Sequence, residues 1–427
     1  MKIRNVRGFG EVDLDFTRPD GSLAGWTVLA GRNGSGKSTL LKAVALCLVD
    51  PSEMRSLSET FEGWIRFGQK VAQAETILQP CSDDGKLPFR SGRMMVQWDS
   101  ADGVKEPMIQ VEMGFAWGRQ PLSDEGWFSV GYGPYRRLSG HASDAQRLMT
   151  GPERVARLIN LFREDASLIE CVTWLREIYL RRLEKRPGAA QLEGAVLALL
   201  NDGLLPDCAE VEGVDSEGLW ILQQGIRLSL NELSDGYRTT AALVMDIARH
   251  LVNAFGELRI EPAEDEAGPF QRVLHSGLVL IDEVDLHLHV SWQKRIGFWL
   301  KRHFPNIQFI VTTHSPFICQ AADSRGLIRL PAPGEDRIAE HVSEGLYNTV
   351  VNGSLDDAVL TELFGLETPY SEPAERLRED VAHLEAKLQT GKASDKDRRE
   401  LEDLRSRLPQ NLSTDVEQAL RKLAAEG

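Results

Sequence analysis

Residues 31 to 38 read Gly31-Arg-Asn-Gly-Ser-Gly-Lys37-Ser38, a glycine-rich loop closed by a lysine and a hydroxyl. Glycines let the backbone curl around an anion and aim N–H groups at it, and the start of a following helix adds positive potential. In such a loop Lys37 reaches the β- and γ-phosphates of a nucleotide, and the Ser38 hydroxyl ligates Mg2+. Residue frequencies give the pattern by chance in about 2% of chains of this length. Gly277-Leu-Val-Leu-Ile-Asp282-Glu283 sets two acids behind an apolar run. At the carboxyl end of a strand, Asp282 can hold Mg2+ and Glu283 can activate or orient a water. An acid that merely caps the next element has the same local pattern. Leu233-Ser-Asp-Gly-Tyr-Arg238 can offer helix-start N–H groups to an anion, although ordinary helices also begin this way. Ile310-Val-Thr-Thr-His314-Ser-Pro316 ends an apolar run in a polar turn with one histidine, a residue that is more often structural in such a place.

The elements around these motifs are legible. Lys2 to Arg7 and Glu11 to Phe16 alternate polar and apolar, as half-buried strands do. Thr27-Val-Leu-Ala30 is a short buried strand that enters the glycine loop, and Leu40, Leu41, Val44, Ala45 and Leu48 line one face of the helix after it. Residues 94–98, 108–113 and 127–130 read as strands, and residues 153–200 read as helices. Leu278 to Ile281 and Ile307 to Val311 are continuous apolar strands, the pattern of a parallel sheet covered on both faces. Beyond Pro331-Ala-Pro-Gly334, Leu377, Val381, Leu384 and Leu388 space one helix seam, and Leu401, Leu404 and Leu408 another. The turn Thr390 to Ser394 separates them. This reads either as a helical hairpin or as two helices packed on the rest.

Composition narrows the classes. The 427 residues carry 49 Lys+Arg against 64 Asp+Glu, a formal net charge of −15. A protein that coats nucleic acid over its whole surface is excluded, while a local basic patch is not. Such a patch lies in Arg176, Arg181, Arg182, Lys185 and Arg186, with Arg154, Arg157 and Arg163 nearby; pairing with Glu177 and Glu184 is the plainer reading of it. The five cysteines are scattered, with no C-x-x-C, against a disulfide framework or zinc ribbon. No run reaches the length of a membrane span, and the start lacks a signal-peptide core. The expectation is a cytoplasmic protein with no membrane partner.

The four motifs occur in the order phosphate loop, Leu-Ser-x-Gly, Asp-Glu, Thr-His. In that order, from Lys2 to about Leu330, the chain resembles the ABC-type ATPases. The resemblance implies an α/β P-loop ATPase head, a mixed sheet flanked by helices, with ATP and Mg2+ as ligands. It implies that two heads sandwich two ATP molecules in a homodimer. Gly31, Asn33, Gly34, Ser35, Gly36, Lys37, Ser38 and Thr39 would then surround the phosphates, with Ser38 and Asp282 on the metal. Ser234 and Gly236 would contact the γ-phosphate across the dimer and His314 within one head. Asp285 would sit at the seam. Lys37, Glu283 and His314 would form the catalytic set.

The usual transporter motif is Leu-Ser-Gly-Gly-Gln; here it is Leu-Ser-Asp-Gly-Tyr-Arg, after a longer stretch than a transporter head needs. The opening Ile3-Arg-Asn-Val-Arg-Gly-Phe9, the run Val279 to His289, Thr312 to Pro316 and Val130 to Arg137 are similar instead to SMC-like, RecF-like and OLD-like ATPases. Within that group they are most like the standalone "AAA family" defence ATPases: the Septu PtuA type, the retron-associated type and OLD ATPase halves. Phe364-Gly-Leu366 and the helical tail resemble the same proteins. Val290 departs from a common proline. No glutamine stands where relatives sense Mg2+ and the attacking water, and Arg136 or Arg137 is the candidate replacement. His287 and His289 invite a metal reading, but the resemblance favours a seam role. Asp395-Lys-Asp397 lacks a preceding strand, so no Toprim nuclease is expected, and no Cys/His cluster suggests an HNH nuclease.

The implied function is an ATPase that dimerises around ATP and regulates a separate effector, a nuclease, in anti-phage defence. A second reading is a repair or recombination ATPase that binds DNA through the basic patch. A third is a nucleotide switch with little turnover. The expected organisation is an N-terminal lobe (1–139), a mostly helical insertion (140–227), a C-terminal lobe (228–345) and a helical tail (346–427).

Overall fold

The computed structural model describes residues 1–50, 53–79, 92–101, 104–115, 128–136, 138, 153–205, 209–335 and 337–408. The chain forms two compact units, Met1–Phe364 and Gly365–Gly427.

The first unit opens with β1 (Lys2–Arg4), β2 (Glu11–Asp13) and β3 (Gly25–Ala30), followed by the phosphate loop, α1 (Lys37–Leu46) and α2 (Met54–Leu57). Strands β4 (Val71–Leu78), β5 (Gly92–Asp99), β6 (Met108–Phe115) and β7 (Ser129–Tyr132) follow, then helices α3 (Glu153–Phe162), α4 (Ile169–Leu183) and α5 (Ala189–Asn201). Next come β8 (Glu210–Val214), β9 (Leu219–Gln223), β10 (Ile226–Ser229) and the long helix α6 (Asp235–Phe255). The hairpin β11 (Ile260–Asp265) and β12 (Gly268–Val273) leads to β13 (Gly277–Ile281), α7 (Val290–Gln293), α8 (Ile296–His303) and β14 (Ile307–Thr313). The unit closes with α9 (Pro316–Cys319), β15 (Leu327–Arg329), β16 (Glu340–His341), α10 (Glu344–Asn352) and α11 (Leu355–Val359).

The central sheet runs β16-β15-β3-β14-β13-β7, parallel except for β16. Both faces are covered, as the unbroken apolar runs require. Val28, Val279, Ile281, Phe309 and Val311 enter one core, while their neighbours Leu29, Leu280 and Ile310 enter the other. The period-2 alternation is thus intact, but apolar on both sides. The first core holds α4, α5 and α6. The second holds α1 and the inner face of an antiparallel sheet, β2-β1-β4-β5-β6. Trp64 stacks on Trp98 at 5.2 Å in that second core.

Strands β8 to β10 form a separate antiparallel sheet that the helical reading of residues 140–227 passed over. Its signal was weak: Leu219 and Ile221 alternate over only a few residues, and an irregularity between Val211 and Gly213 breaks the period before Val214. Cys47, Cys171 and Cys319 are buried thiols, and burial pushes Cys47 up to about 12. Cys81 and Cys208 lie outside the described residues. No helix among the described residues is long and apolar enough to cross a membrane.

The second unit contains α12 (Glu372–Gln389) and α13 (Asp395–Arg407), a hairpin whose seam buries Val381, Leu384 and Leu401. Gly391 at φ +69 makes the turn, and Ser394 with Asp397 forms a capping box at the start of α13. Leu404 and Leu408 pack on the seam, whereas Leu388 is exposed.

Candidate functional site

Strand β3 ends buried at Ala30 between β14 and β15, and the chain then turns through Gly31 to Gly36 into α1. Gly34 and Gly36 hold φ of +79 and +87, which side-chain-bearing residues avoid. A Cβ on Gly36 would lie 2.6 Å from the Phe9 ring, so the loop rests on the opening segment of the chain. Helix α1 has no side-chain cap and no acid in its first turn, which leaves its N-terminal potential uncompensated. The Lys37 ammonium donates to the Gly31 carbonyl (2.8 Å) and the Arg32 carbonyl (3.1 Å), folded across its own loop. Burial lowers its pKa, against the pull of Asp282, Glu283 and Asp285. The Ser35 hydroxyl is buried with no hydrogen-bond partner. Ser38 is half-buried, Thr39 is buried and Asn33 is exposed.

Strand β13 delivers the acids. Asp282 is 2% exposed, and its Oδ1 accepts from the Thr312 hydroxyl at 2.6 Å. The same Thr312 oxygen accepts the Glu283 N–H at 2.7 Å. Glu283 has φ +47, so the turn is held in a conformation that its side chain disfavours. Asp285 accepts from Thr313, whose oxygen also takes the Ser315 N–H. Ser315 donates to Gln293, which in turn holds the Leu288 carbonyl. His314 is exposed at the end of β14; partial burial and the Lys37 charge lower its pKa, favouring the neutral ring near pH 7. Lys37, Asp282, Glu283, Asp285 and His314 thus share one electrostatic neighbourhood, although Lys37 and Asp282 are far apart in sequence.

Arg136 takes a different place from the one expected of a Mg2+ sensor. Its guanidinium is buried beneath the acidic turn and donates to the carbonyls of Gly133, Asp282, Glu283 and Val284. Burial brings its pKa down to about 10, against the surrounding Asp282, Asp285 and Glu283. Both of its terminal nitrogens are thus committed to backbone carbonyls. Arg137 lies outside the described residues.

Ser234 is the exposed N-cap of α6. A Cβ on Gly236 would come within 2.9 Å of the His287 carbonyl, so the helix start packs on the turn after the acids. His287 sits in that turn at φ +67, and His289 caps α7 by accepting from the Ser291 N–H. Among the described residues, no group of three or more His, Cys, Asp or Glu could hold a metal ion.

The basic stretch is largely neutralised. Arg181 pairs with Glu177 (3.6 Å), Arg182 with Glu193 (2.7 Å) and Arg186 with Glu184 (3.1 Å), while Arg176 donates to the Glu217 carbonyl. Arg157 is buried against Glu153, and Arg163 pairs with Glu59 and Asp165. These residues show a paired helix face, not a stripe of free charge.

The family described as "AAA domain, putative AbiEii toxin, Type IV TA system" matches residues 174–320, and one described as "AAA domain" matches residues 1–79. Septu protein PtuA of Bacillus mycoides is 28% identical over 91% of this chain and 50% of its own length. The Retron Ec83 probable ATPase of Escherichia coli is 43% identical over 25% of this chain and 17% of its own length. The chain is a homologue of the PtuA proteins and the retron ATPases. It spans half or less of the length of these two relatives. An SMC head bound to the C-winged helix domain of ScpA is similar over 80% of this chain and 96% of that one, at 14% identity and a TM-score of 0.46. The fold is the α/β class expected, a mixed sheet flanked by helices, with helices α3 to α5 inserted between the halves of the site.

Proposed function

We propose that this protein binds and hydrolyses ATP, and that two copies close around the nucleotide to regulate a separate effector, a nuclease, in anti-phage defence. One observation carries the reading. The uncompensated start of α1, the partnerless Ser35 hydroxyl and the folded-back Lys37 meet the Asp282–Glu283 turn at the carboxyl ends of β3 and β13, parallel strands on either side of β14. The similarity to PtuA and retron ATPases supports the defence setting.

The backbone N–H groups of residues 31–38 bind the β-phosphate, and Lys37 leaves its loop carbonyls for the γ-phosphate. Ser38 and Asp282 would hold Mg2+, a hydroxyl and a carboxylate suited to that ion, which supplies neutralising charge to the phosphates when bound. Glu283 accepts the proton of the attacking water at its carboxylate, and the neutral His314 ring orients the γ-phosphate. Ser234 and Gly236 of a second copy complete the site, with Asp285 at the seam.

Lys37→Ala is expected to abolish binding of a fluorescent ATP analogue. Glu283→Gln is expected to keep binding and lower kcat by about a hundredfold or more. A Glu283→Gln variant that turns over like the wild type would remove the proposal.

A further inference from the structure

The geometry points to Arg136 as the positioning residue of the acidic turn: its guanidinium fixes the backbone of Asp282, Glu283 and Val284, and so aims the Glu283 carboxylate. The inference rests on the ATPase reading above.

Glu283 occupies the left-handed region at φ +47, which a residue with a Cβ does not hold unaided. It is gripped from two directions. On the N–H side, Thr312 of β14 accepts its amide hydrogen at 2.7 Å. On the carbonyl side, Arg136 donates to Glu283 O at 2.9 Å, Asp282 O at 2.8 Å and Val284 O at 3.4 Å. Three successive carbonyls converge on one group, which only a planar fork with several N–H donors can serve. The Glu283 peptide shares its Cα with the catalytic side chain. Rotating that peptide therefore swings the carboxylate.

The arginine is itself held rigidly. Its Nη1 also donates to Gly133 O at 2.7 Å. Gly133 in turn donates to the Asn160 side chain at 3.0 Å, and a Cβ on it would lie 2.5 Å from the Asn160 carbonyl. Helix α3, the loop after β7 and the acidic turn are thus joined by one buried chain of hydrogen bonds. Burying a guanidinium is costly, and here it adds a second donor to Glu283 O, which already accepts the Leu286 N–H at 3.0 Å. A positioning role accounts for both.

The test is steady-state ATP turnover by the full chain, with binding of a fluorescent ATP analogue measured in parallel. Arg136→Lys keeps the charge but not the fork, and is expected to lower kcat about tenfold with nucleotide affinity within about twofold of wild type. Arg136→Met loses both and is expected to fall about a hundredfold. Should the methionine variant fail to fold, the lysine variant carries the test. In a Glu283→Gln background, Arg136→Lys is expected to cause almost no further loss, because the group it aims is already disabled. Wild-type kcat in Arg136→Lys, a matching loss of nucleotide affinity, or full multiplicative losses in the double variant would each overturn the inference. A wild-type chain that binds ATP but never hydrolyses it would overturn the ATPase reading, and this inference with it.

Discussion

Thr312 performs two tasks with one oxygen. Its hydroxyl donates to Asp282 Oδ1 and accepts the Glu283 N–H, so a single side chain orients both acids. Valine has nearly the same shape and neither capacity. Thr312→Val leaves a buried carboxylate oxygen and an amide short of partners, and is expected to cost about 1–3 kcal/mol in denaturant unfolding. Turnover is expected to fall with it, while Thr312→Ser restores both; equal stability of the valine and serine variants would refute the assignment. At this scale the curl of the glycine loop was legible, because Gly31 to Ser38 form one contiguous stretch of backbone. The pairing of Thr312 with residues 282 and 283 was not, because only strand register brings β13 beside β14.

At the scale of elements, α6 is tied to the catalytic layer through its middle. Asp246 on α6 is buried, accepts from the Tyr132 hydroxyl at the end of β7 (3.0 Å) and pairs with Arg249 (2.7 Å) and His250 (3.4 Å). Burial alone would raise the Asp246 pKa. The Arg249 and His250 interactions overcome burial and hold it well below the usual carboxylate range. Burial also lowers the His250 pKa, so near neutral pH Arg249 is the counter-charge. A depressed folded-state pKa means that the stabilisation is fully present above the unfolded value of about 3.9 and is lost as pH falls through the folded value. Asp246→Asn is expected to destabilise the protein by about 3–5 kcal/mol at pH 7, measured by urea midpoint, by stranding the buried Arg249. Its stability is expected to vary less than that of the wild type below pH 4. An unchanged midpoint at pH 7 would show that the cluster contributes no net stability.

At the scale of the whole molecule, the exposed Ser234 cap stands on the surface of its own head. Under the proposed function, a contact between Ser234 and a nucleotide in a partner head would make dimerisation dependent on ATP. Ser234→Arg is expected to leave ATP binding by one chain intact while abolishing the ATP dimer in light scattering; dimers that persist would place the second half of the site elsewhere. The net charge of −15, with Arg181, Arg182 and Arg186 already paired, weighs against wrapping of nucleic acid over the whole surface.

What the sequence determined alone was local. The curl of the glycine loop, the acids behind an apolar strand and the two helical periods of the tail each depend on a few neighbouring residues, so their spacing suffices. The tertiary structure decided what depends on distant backbone. It buried Arg136 under carbonyls more than a third of the chain away, set Tyr132 against Asp246, and paired Arg182 of α4 with Glu193 of α5. A carbonyl is the same group at every residue. No spacing of side chains can announce which carbonyls a distant donor will meet until packing has brought them together.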